Sequence, residues 1–231
     1  MNEKVNVGLV GAGRWGPNVI GAINRLGHGQ VAKVADPSHQ ALQRLADRFP
    51  AISTSESAEH LIEDSDIDAI AVCTPVETHT SLVRAALLAG KHVFVEKPLA
   101  LKMEEAEILC SLADRQSKVL MVGHLLQYHS AFSKLKTLVT EGILGKLQYI
   151  YSNRLNLGKF RNEENILWSF APHDISMILG LAGDVPETVL STGSAHLNNH
   201  IQDVTITHLA FKSGIRAHVF VSWLHPFKEQ K

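Results

Sequence analysis

The feature that most constrains this chain is Gly11-Ala12-Gly13-Arg14-Trp15-Gly16, three glycines at G-x-G-x-x-G spacing. Ahead of them Val5-Asn6-Val7-Gly8-Leu9-Val10 is short and rich in β-branched residues. A helical stretch over about residues 15–26 follows and stops at Gly27. Glycine triplets at this spacing occur in many turns, and the flanking strand and helix give the pattern its meaning. Gly11 permits a tight turn, Gly13 lets a pyrophosphate approach the backbone, and Gly16 lets the helix pack on the strand. The helix N-terminus, with Arg14 and Trp15 leading into it, offers N–H groups and a favourable dipole to phosphate charge. Asp36 ends a second strand at the ~20-residue spacing expected of a ribose-binding acid. Its carboxylate would accept hydrogen bonds from the adenosine ribose hydroxyls and repel a 2′-phosphate, so NAD is the expected cofactor. The bland alternative is a glycine-rich turn with a surface aspartate nearby.

Strand and helix signals keep alternating. Helices are expected at 38–49, with Ser38 as N-cap and Pro50 closing it, and at 56–64, 77–89 and 103–116. Strands are expected at 30–35, 69–73, 92–95 and 119–122. The runs Ala69-Ile70-Ala71-Val72-Cys73 and His92-Val93-Phe94-Val95 lack polar alternation, as parallel strands covered on both faces do. Residues 1–123 therefore read as an α/β Rossmann domain with a doubly wound parallel sheet. After Gly123 the period changes. One helix at about 131–141 leads into alternating segments at 147–155, 187–196, 204–211 and 215–223. The last two are joined through Lys212-Ser213-Gly214, a hairpin connection. Thr205, Thr207 and Leu209 face opposite to Ile206, His208 and Ala210. A helix is expected at 172–181 with Pro172 in its first turn. Residues 124–231 thus read as an α+β domain with a mainly antiparallel open sheet, binding substrate. The chain ends abruptly after a strand, at Lys228-Glu229-Gln230-Lys231, so a C-terminal part is expected to be missing.

Glu96-Lys97-Pro98 directly follows an apolar strand, and in open α/β sheets ligands gather at the carboxyl ends of strands. Taken alone, such a Glu-Lys is as readily a solvated surface pair. The longer run Gly90-Lys91-His92-Val93-Phe94-Val95-Glu96-Lys97-Pro98-Leu99-Ala100 resembles the signature of the Gfo/Idh/MocA family of NAD(P)-dependent sugar oxidoreductases. Cys73-Thr74-Pro75 with Thr78-His79 resembles that family's preceding cofactor loop, with Val76 where asparagine is common. The resemblance covers essentially the whole chain. It implies cofactor contacts at Thr74, Pro75, His79, Glu96 and Lys97. It also places Lys97 beside the nicotinamide and the substrate hydroxyl, with the Lys97–Pro98 bond often cis. In Ala171-Pro172-His173-Asp174-Ile175 it implies an acid–base role for His173, otherwise a polar residue near a helix start. Many members carry an aspartate four residues earlier, where this chain has Ser169.

Oxidising a secondary alcohol needs a hydride acceptor and a base for the hydroxyl proton. A histidine near its ordinary pKa of about 6.5 suits the base, whereas a lysine starts near about 10.4. The expected assignment is Lys97 polarising the oxygen and His173 accepting the proton, with the reverse left open. The stretch Tyr151-Ser152-Asn153-Arg154-Leu155-Asn156-Leu157-Gly158-Lys159-Phe160-Arg161-Asn162, followed by Asn165-Ile166-Leu167-Trp168, is similar to members acting on nucleotide sugars. The activity it suggests is dehydrogenation of UDP-N-acetylglucosamine at C3. Arg154, Lys159 and Arg161 would offset a diphosphate, and asparagines such as Asn156 would recognise hydroxyl or acetamido groups. The alternative is a plain polar loop. Tyr128, with Gln127 after His124, either lines the cleft or belongs to the core. A dehydrogenase of a free polyol such as inositol is the second reading, and a non-catalytic NAD-binding sensor the third.

Composition excludes other classes. A net charge of -1 does not argue for nucleic acid or an anionic membrane, since both demand a basic face, and neither partner is expected. Cys73 and Cys110 form no disulfide framework, and with no leader-like N-terminus a cytoplasmic, reducing setting is expected. His196, His200, His208 and His218 match no metal-binding spacing, so no metal is expected. Trp168 and Trp223 are expected in the core or against a sheet. The uncovered sheet face suggests sheet-to-sheet assembly, a homodimer or homotetramer as in the family.

Overall fold

The apolar runs of the first half become strands β1 (Val5–Val10), β2 (Gly29–Ala35), β4 (Ala69–Val72), β5 (His92–Val95) and β6 (Leu120–Val122). With β3 (Ser53–Ser55) they pair in parallel in the order β3-β2-β1-β4-β5-β6. This is seen in a computed structural model that describes residues 4–157, 160 and 164–231. Helices α1 (Gly16–Arg25), α2 (His39–Arg48), α3 (Ala58–Glu63), α4 (His79–Leu88) and α5 (Met103–Arg115) connect the strands. Ile70 and Val72 turn one way, into a cluster with Val83, Leu87 and Leu109. Ala71 between them turns the other way, toward Leu9, Ile20, Val34 and Leu45. Both sheet faces are therefore covered, which is why these runs lack polar alternation. Ser38 caps α2 by accepting the Ala41 N–H at 3.2 Å, as its position suggested. Strand β3 was not expected: Ser-Thr-Ser at a sheet edge carries no apolar signal.

The chain divides into two compact units, Met1–Gly123 and His124–Lys231. The second unit holds α6 (Ser130–Thr140), β7 (Tyr149–Leu157), α7 (Ile166–Ala182), β8 (Thr188–Ser194), β9 (Val204–Ala210), β10 (Arg216–Ser222) and β11 (Leu224–Gln230). Its sheet runs β11-β7-β10-β9-β8. The pair β7–β10 is parallel and the others are antiparallel, so the sheet is mixed but mostly antiparallel. Period-two alternation reports which face a residue takes and says nothing of strand direction, so β7–β10 was open from the sequence. Gly214, with φ 91°, closes the β9–β10 hairpin. The β9 alternation holds: Thr205, Thr207 and Leu209 are buried. Strand β11, broken in pattern by Pro226, was not expected. Among the described residues no helix is long and apolar enough to cross a membrane.

Helix α7 differs most from expectation. It starts at Ile166, where the Asn165 side chain accepts the Trp168 N–H at 3.1 Å, and Pro172 lies inside it. An interior proline costs a helix about 3 kcal/mol. Here Ile166, Ala171 and Ile178 pack against Leu209, Ala217, Val219, Val221 and Trp223, and this apolar burial holds the two earlier turns in place. Trp223 is buried, but Trp168 is 39% exposed, since it points off the packed stripe. The other face of the sheet stays open, with Tyr149, Tyr151 and Leu190 exposed.

A buried charge pair ties α7 to β7. Arg154 donates from Nε to Asp174 Oδ2 at 2.6 Å and from Nη2 to Oδ1 at 3.2 Å. Ser152 Oγ adds a bond to Oδ1 at 2.7 Å. Removing one partner strands the other charge in a dry site, so Arg154→Ala is expected to cost roughly 3–5 kcal/mol. Urea unfolding of the two proteins measures this. A loss under about 1 kcal/mol, the level of a surface pair, would contradict the buried pairing.

Candidate functional site

The residues expected to meet the cofactor gather at the carboxyl ends of β1, β2, β4 and β5. Gly11 has φ 106°, and a Cβ on it would stand 2.6 Å from the Cys73 carbonyl oxygen. A Cβ on Gly16 would lie 2.5 Å from the Gly11 carbonyl oxygen. A Cβ on Gly13 would meet nothing within 4 Å, so the middle glycine faces open space. Behind that space α1 begins with no side-chain cap at Trp15 and no acidic residue in its first turn. Such a helix start favours an anion through its N–H groups and dipole. A dinucleotide's pyrophosphate fits this cradle. Arg14 and Trp15 flank it, both exposed.

Asp36 is half-buried. Its Oδ2 accepts the Ala12 N–H at 2.7 Å and its Oδ1 the Ser38 N–H at 2.8 Å. The carboxylate therefore pins the glycine loop to the end of β2. An ionised carboxylate has about four acceptor positions, so capacity remains for ribose hydroxyls.

On the other side of β1, Thr74 and Pro75 follow β4, and Glu96 and Lys97 follow β5. The Lys97–Pro98 bond is cis. Trp15 Nε1 donates to Glu96 Oε1 at 2.6 Å, linking the glycine loop to the β5 end. Burial pushes the Glu96 carboxyl above the usual range, against the opposing pull of the Trp15 bond and of Lys97 and His79 nearby. The Cys73 thiol is pushed up to about 12, first by burial and then by the Glu96 charge. It is protonated near neutrality and is no nucleophile. His79 was expected to touch the cofactor, but it is 1% exposed, with its ring nitrogens against backbone carbonyls.

In the second unit His173 lies well inside α7, since the helix starts earlier than expected. Ser169 stands one turn before it, and the His124 ring meets the His173 ring edge-on with centroids 6.4 Å apart. Gln127 Nε2 donates to the Ser176 carbonyl at 2.6 Å and to its hydroxyl at 2.7 Å, fixing the segment after His124 to α7. Tyr128 is 67% exposed and so is not a core residue. Asn156 is half-buried on β7. Arg154 is engaged with Asp174, and Lys159 and Arg161 lie outside the described residues. The role of Asp174 went unread, although an aspartate in an apolar helix is the signal of a buried partner. Among the described residues no three His, Cys, Asp or Glu side chains are grouped to hold a metal ion.

Residues 5–124 match the sequence model of an oxidoreductase family with an NAD-binding Rossmann fold, GFO_IDH_MocA. Residues 132–231 match the GFO/IDH/MocA C-terminal domain. The chain belongs to the GFO/IDH/MocA family. Its first unit is an NAD-binding Rossmann domain. Among its relatives, myo-inositol 2-dehydrogenase of Thermotoga maritima is 26% identical over 91% of this chain and 66% of its own length. UDP-N-acetylglucosamine 3-dehydrogenase of Acidithiobacillus ferrooxidans is 28% identical over 68% of this chain and 49% of its own length. An oxidoreductase from Agrobacterium radiobacter, solved with NAD+, L-tartaric acid and magnesium, superposes with a TM-score of 0.90. It covers 98% of this chain and 69% of that one at 19% identity, a likeness of fold. The chain thus spans between about half and two thirds of the length of these curated relatives.

The three glycines of this GFO/IDH/MocA chain make different demands, and alanine separates them. Gly16→Ala drives a Cβ into backbone and is expected to cost about 1–3 kcal/mol of stability. Gly13→Ala is expected to change stability by about 0.5 kcal/mol or less while weakening NAD binding about tenfold or more. Urea unfolding and calorimetric titration measure the two effects. Equal NAD affinity in Gly13→Ala would contradict the cradle.

Proposed function

We propose that this chain acts as an NAD-dependent dehydrogenase oxidising a secondary alcohol of a sugar or polyol. What carries the reading is Lys97, held at the end of β5 one strand beyond β4, on the side of the glycine loop away from Asp36. Ligands of open α/β sheets lie across such strand ends. The residues to hold NAD are Gly11, Gly13, Arg14, Trp15 and Gly16 at the phosphates and Asp36 at the adenosine ribose. Thr74, Pro75, Glu96 and Lys97 serve the nicotinamide half. Bound there, the nicotinamide supplies the hydride acceptor. Lys97 polarises the substrate oxygen and stabilises its developing negative charge. His173 accepts the hydroxyl proton without an aspartate four residues before it, since Ser169 stands there. The reverse division between Lys97 and His173 uses the same two groups.

The finer proposal is a nucleotide sugar, UDP-N-acetylglucosamine oxidised at C3, with Tyr128, Asn156 and Arg161 contributing to its binding. Support comes from the Acidithiobacillus relative, whose name carries that activity. One observation favours a free polyol such as inositol instead. The guanidinium of Arg154 is committed to Asp174, which removes one of the cations expected at a diphosphate. The inositol dehydrogenases among the relatives fit that second reading. A reducing, cytoplasmic setting suits the free thiols Cys73 and Cys110. A second copy seated on the open sheet face, at Tyr149, Tyr151 and Leu190, is part of the proposal.

The test is reduced-nicotinamide absorbance with NAD and a panel of UDP-sugars, free sugars and inositols. Turnover of UDP-N-acetylglucosamine selects the nucleotide-sugar reading and turnover of free inositol alone the polyol reading. NAD binding without turnover would instead point to a sensor. Lys97→Ala and His173→Ala are each expected to lower turnover about 100-fold or more with NAD affinity largely kept. Unchanged rates in both would overturn their assignment.

A further inference from the structure

His79 holds a position that neither a cofactor contact nor an ordinary core residue explains. It opens α4 and is 1% exposed, so no ligand reaches it. Its Nδ1 lies 2.7 Å from the Pro98 carbonyl oxygen and its Nε2 lies 2.9 Å from the Thr74 carbonyl oxygen. Both neighbours are acceptors, so the ring is the donor. One ring proton bonds one carbonyl, and both are bonded when each nitrogen carries a proton.

The two carbonyls belong to the segments that leave β4 and β5 toward the site. The ladder between these strands reaches the Glu96 N–H and the Val72 carbonyl, 2.9 Å apart. Two residues further along each chain, the His79 ring bridges Thr74 to Pro98. The Thr78 hydroxyl, beside it, donates to the Pro75 carbonyl at 2.7 Å and lies 2.6 Å from Thr74 Oγ1, whose own hydroxyl can donate to it, so the Thr74 segment is held on both sides. Glu96, two residues before Pro98 on the same loop, receives the Trp15 indole N–H. A single buried ring thus joins the Thr74 loop, the Lys97 loop and, through Glu96, the glycine loop.

We infer that His79 is a positioning residue for the nicotinamide half of the site. It sets Thr74 and Lys97 at a fixed spacing without touching the ligand. The inference rests on the NAD reading above. Sheet order separates the two halves of the dinucleotide: Asp36 and the glycine loop serve the adenosine side, and the ends of β4 and β5 serve the other. Loosening the bridge should therefore leave adenosine-side binding alone.

Calorimetric titration of the full chain with ADP-ribose and with NAD separates these halves, because ADP-ribose lacks the nicotinamide. Wild type is expected to bind NAD more tightly than ADP-ribose. In His79→Leu the ADP-ribose affinity should stay within about twofold of wild type, while NAD affinity falls about tenfold, toward that of ADP-ribose. His79→Gln, whose amide can still donate to one carbonyl, should recover part of the difference. Undiminished preference for NAD in His79→Leu would overturn the inference. So would a parallel loss of both ligands in both variants, which would make His79 a folding residue. A wild type that binds NAD no more tightly than ADP-ribose would also overturn it, with the NAD reading still standing. Binding of neither ligand to wild type would remove the NAD reading itself.

Discussion

The nucleotide end of this protein depends on backbone passing against backbone with no room for a side chain. At Gly11 and Gly16 a β-carbon would come within 2.6 Å and 2.5 Å of a carbonyl oxygen. Those two close approaches press the turn after β1 onto the end of β4 and onto the start of α1. With the turn seated, the Asp36 carboxylate reaches the Ala12 N–H from one side and the Trp15 indole reaches Glu96 from the other. The remaining glycine, Gly13, is left facing open space. The cradle is therefore a product of packing.

Buried charge is met in two ways in this protein. In the first, polar groups near the site are spread along strand ends, where backbone N–H groups, an indole and an imidazole meet carboxylate and carbonyl oxygens one at a time. In the second, a concentrated pair, Arg154 and Asp174, sits in the layer between α7 and the sheet. A buried pair of this kind is costly to break. It also places Asp174 immediately after His173, so the segment of α7 that carries His173 is anchored to β7. The proposed base gains its fixed position from packing and from this pair, with Ser169 one turn before it.

How much was legible in the sequence follows from what each residue type signals. The parallel strands could be read because residues such as Ile70, Ala71 and Val72 are apolar without interruption, which only two covered faces require. Asp36 could be read because its distance from the glycines is fixed by one strand–helix–strand passage. Pro172 misled, because proline marks a first helical turn in most contexts, whereas the true cap was Asn165 and the deciding force was burial of Ile166 and Ala171. The parallel pairing of β7 with β10 was invisible, since alternation is the same in either direction. Strands β3 and β11 were missed for their polar composition and for Pro226. At the site, the residue types were legible and their partners were not. Arg154 reads as a phosphate ligand until Asp174 is found across from it, and His79 reads as a cofactor contact until its burial is known. Pairings between residues far apart in sequence are set by the fold, and no local pattern carries them.

The central claim is that the turn formed by Gly11, Gly13 and Gly16, with Asp36 beside it, receives a dinucleotide. A crystal structure of the chain grown with NAD tests this most directly. The account predicts the pyrophosphate against Gly13 and the start of α1, with the adenosine ribose hydroxyls on the Asp36 carboxylate. NAD bound at any other place, or a ribose turned away from Asp36 with the pyrophosphate off the helix start, would contradict it.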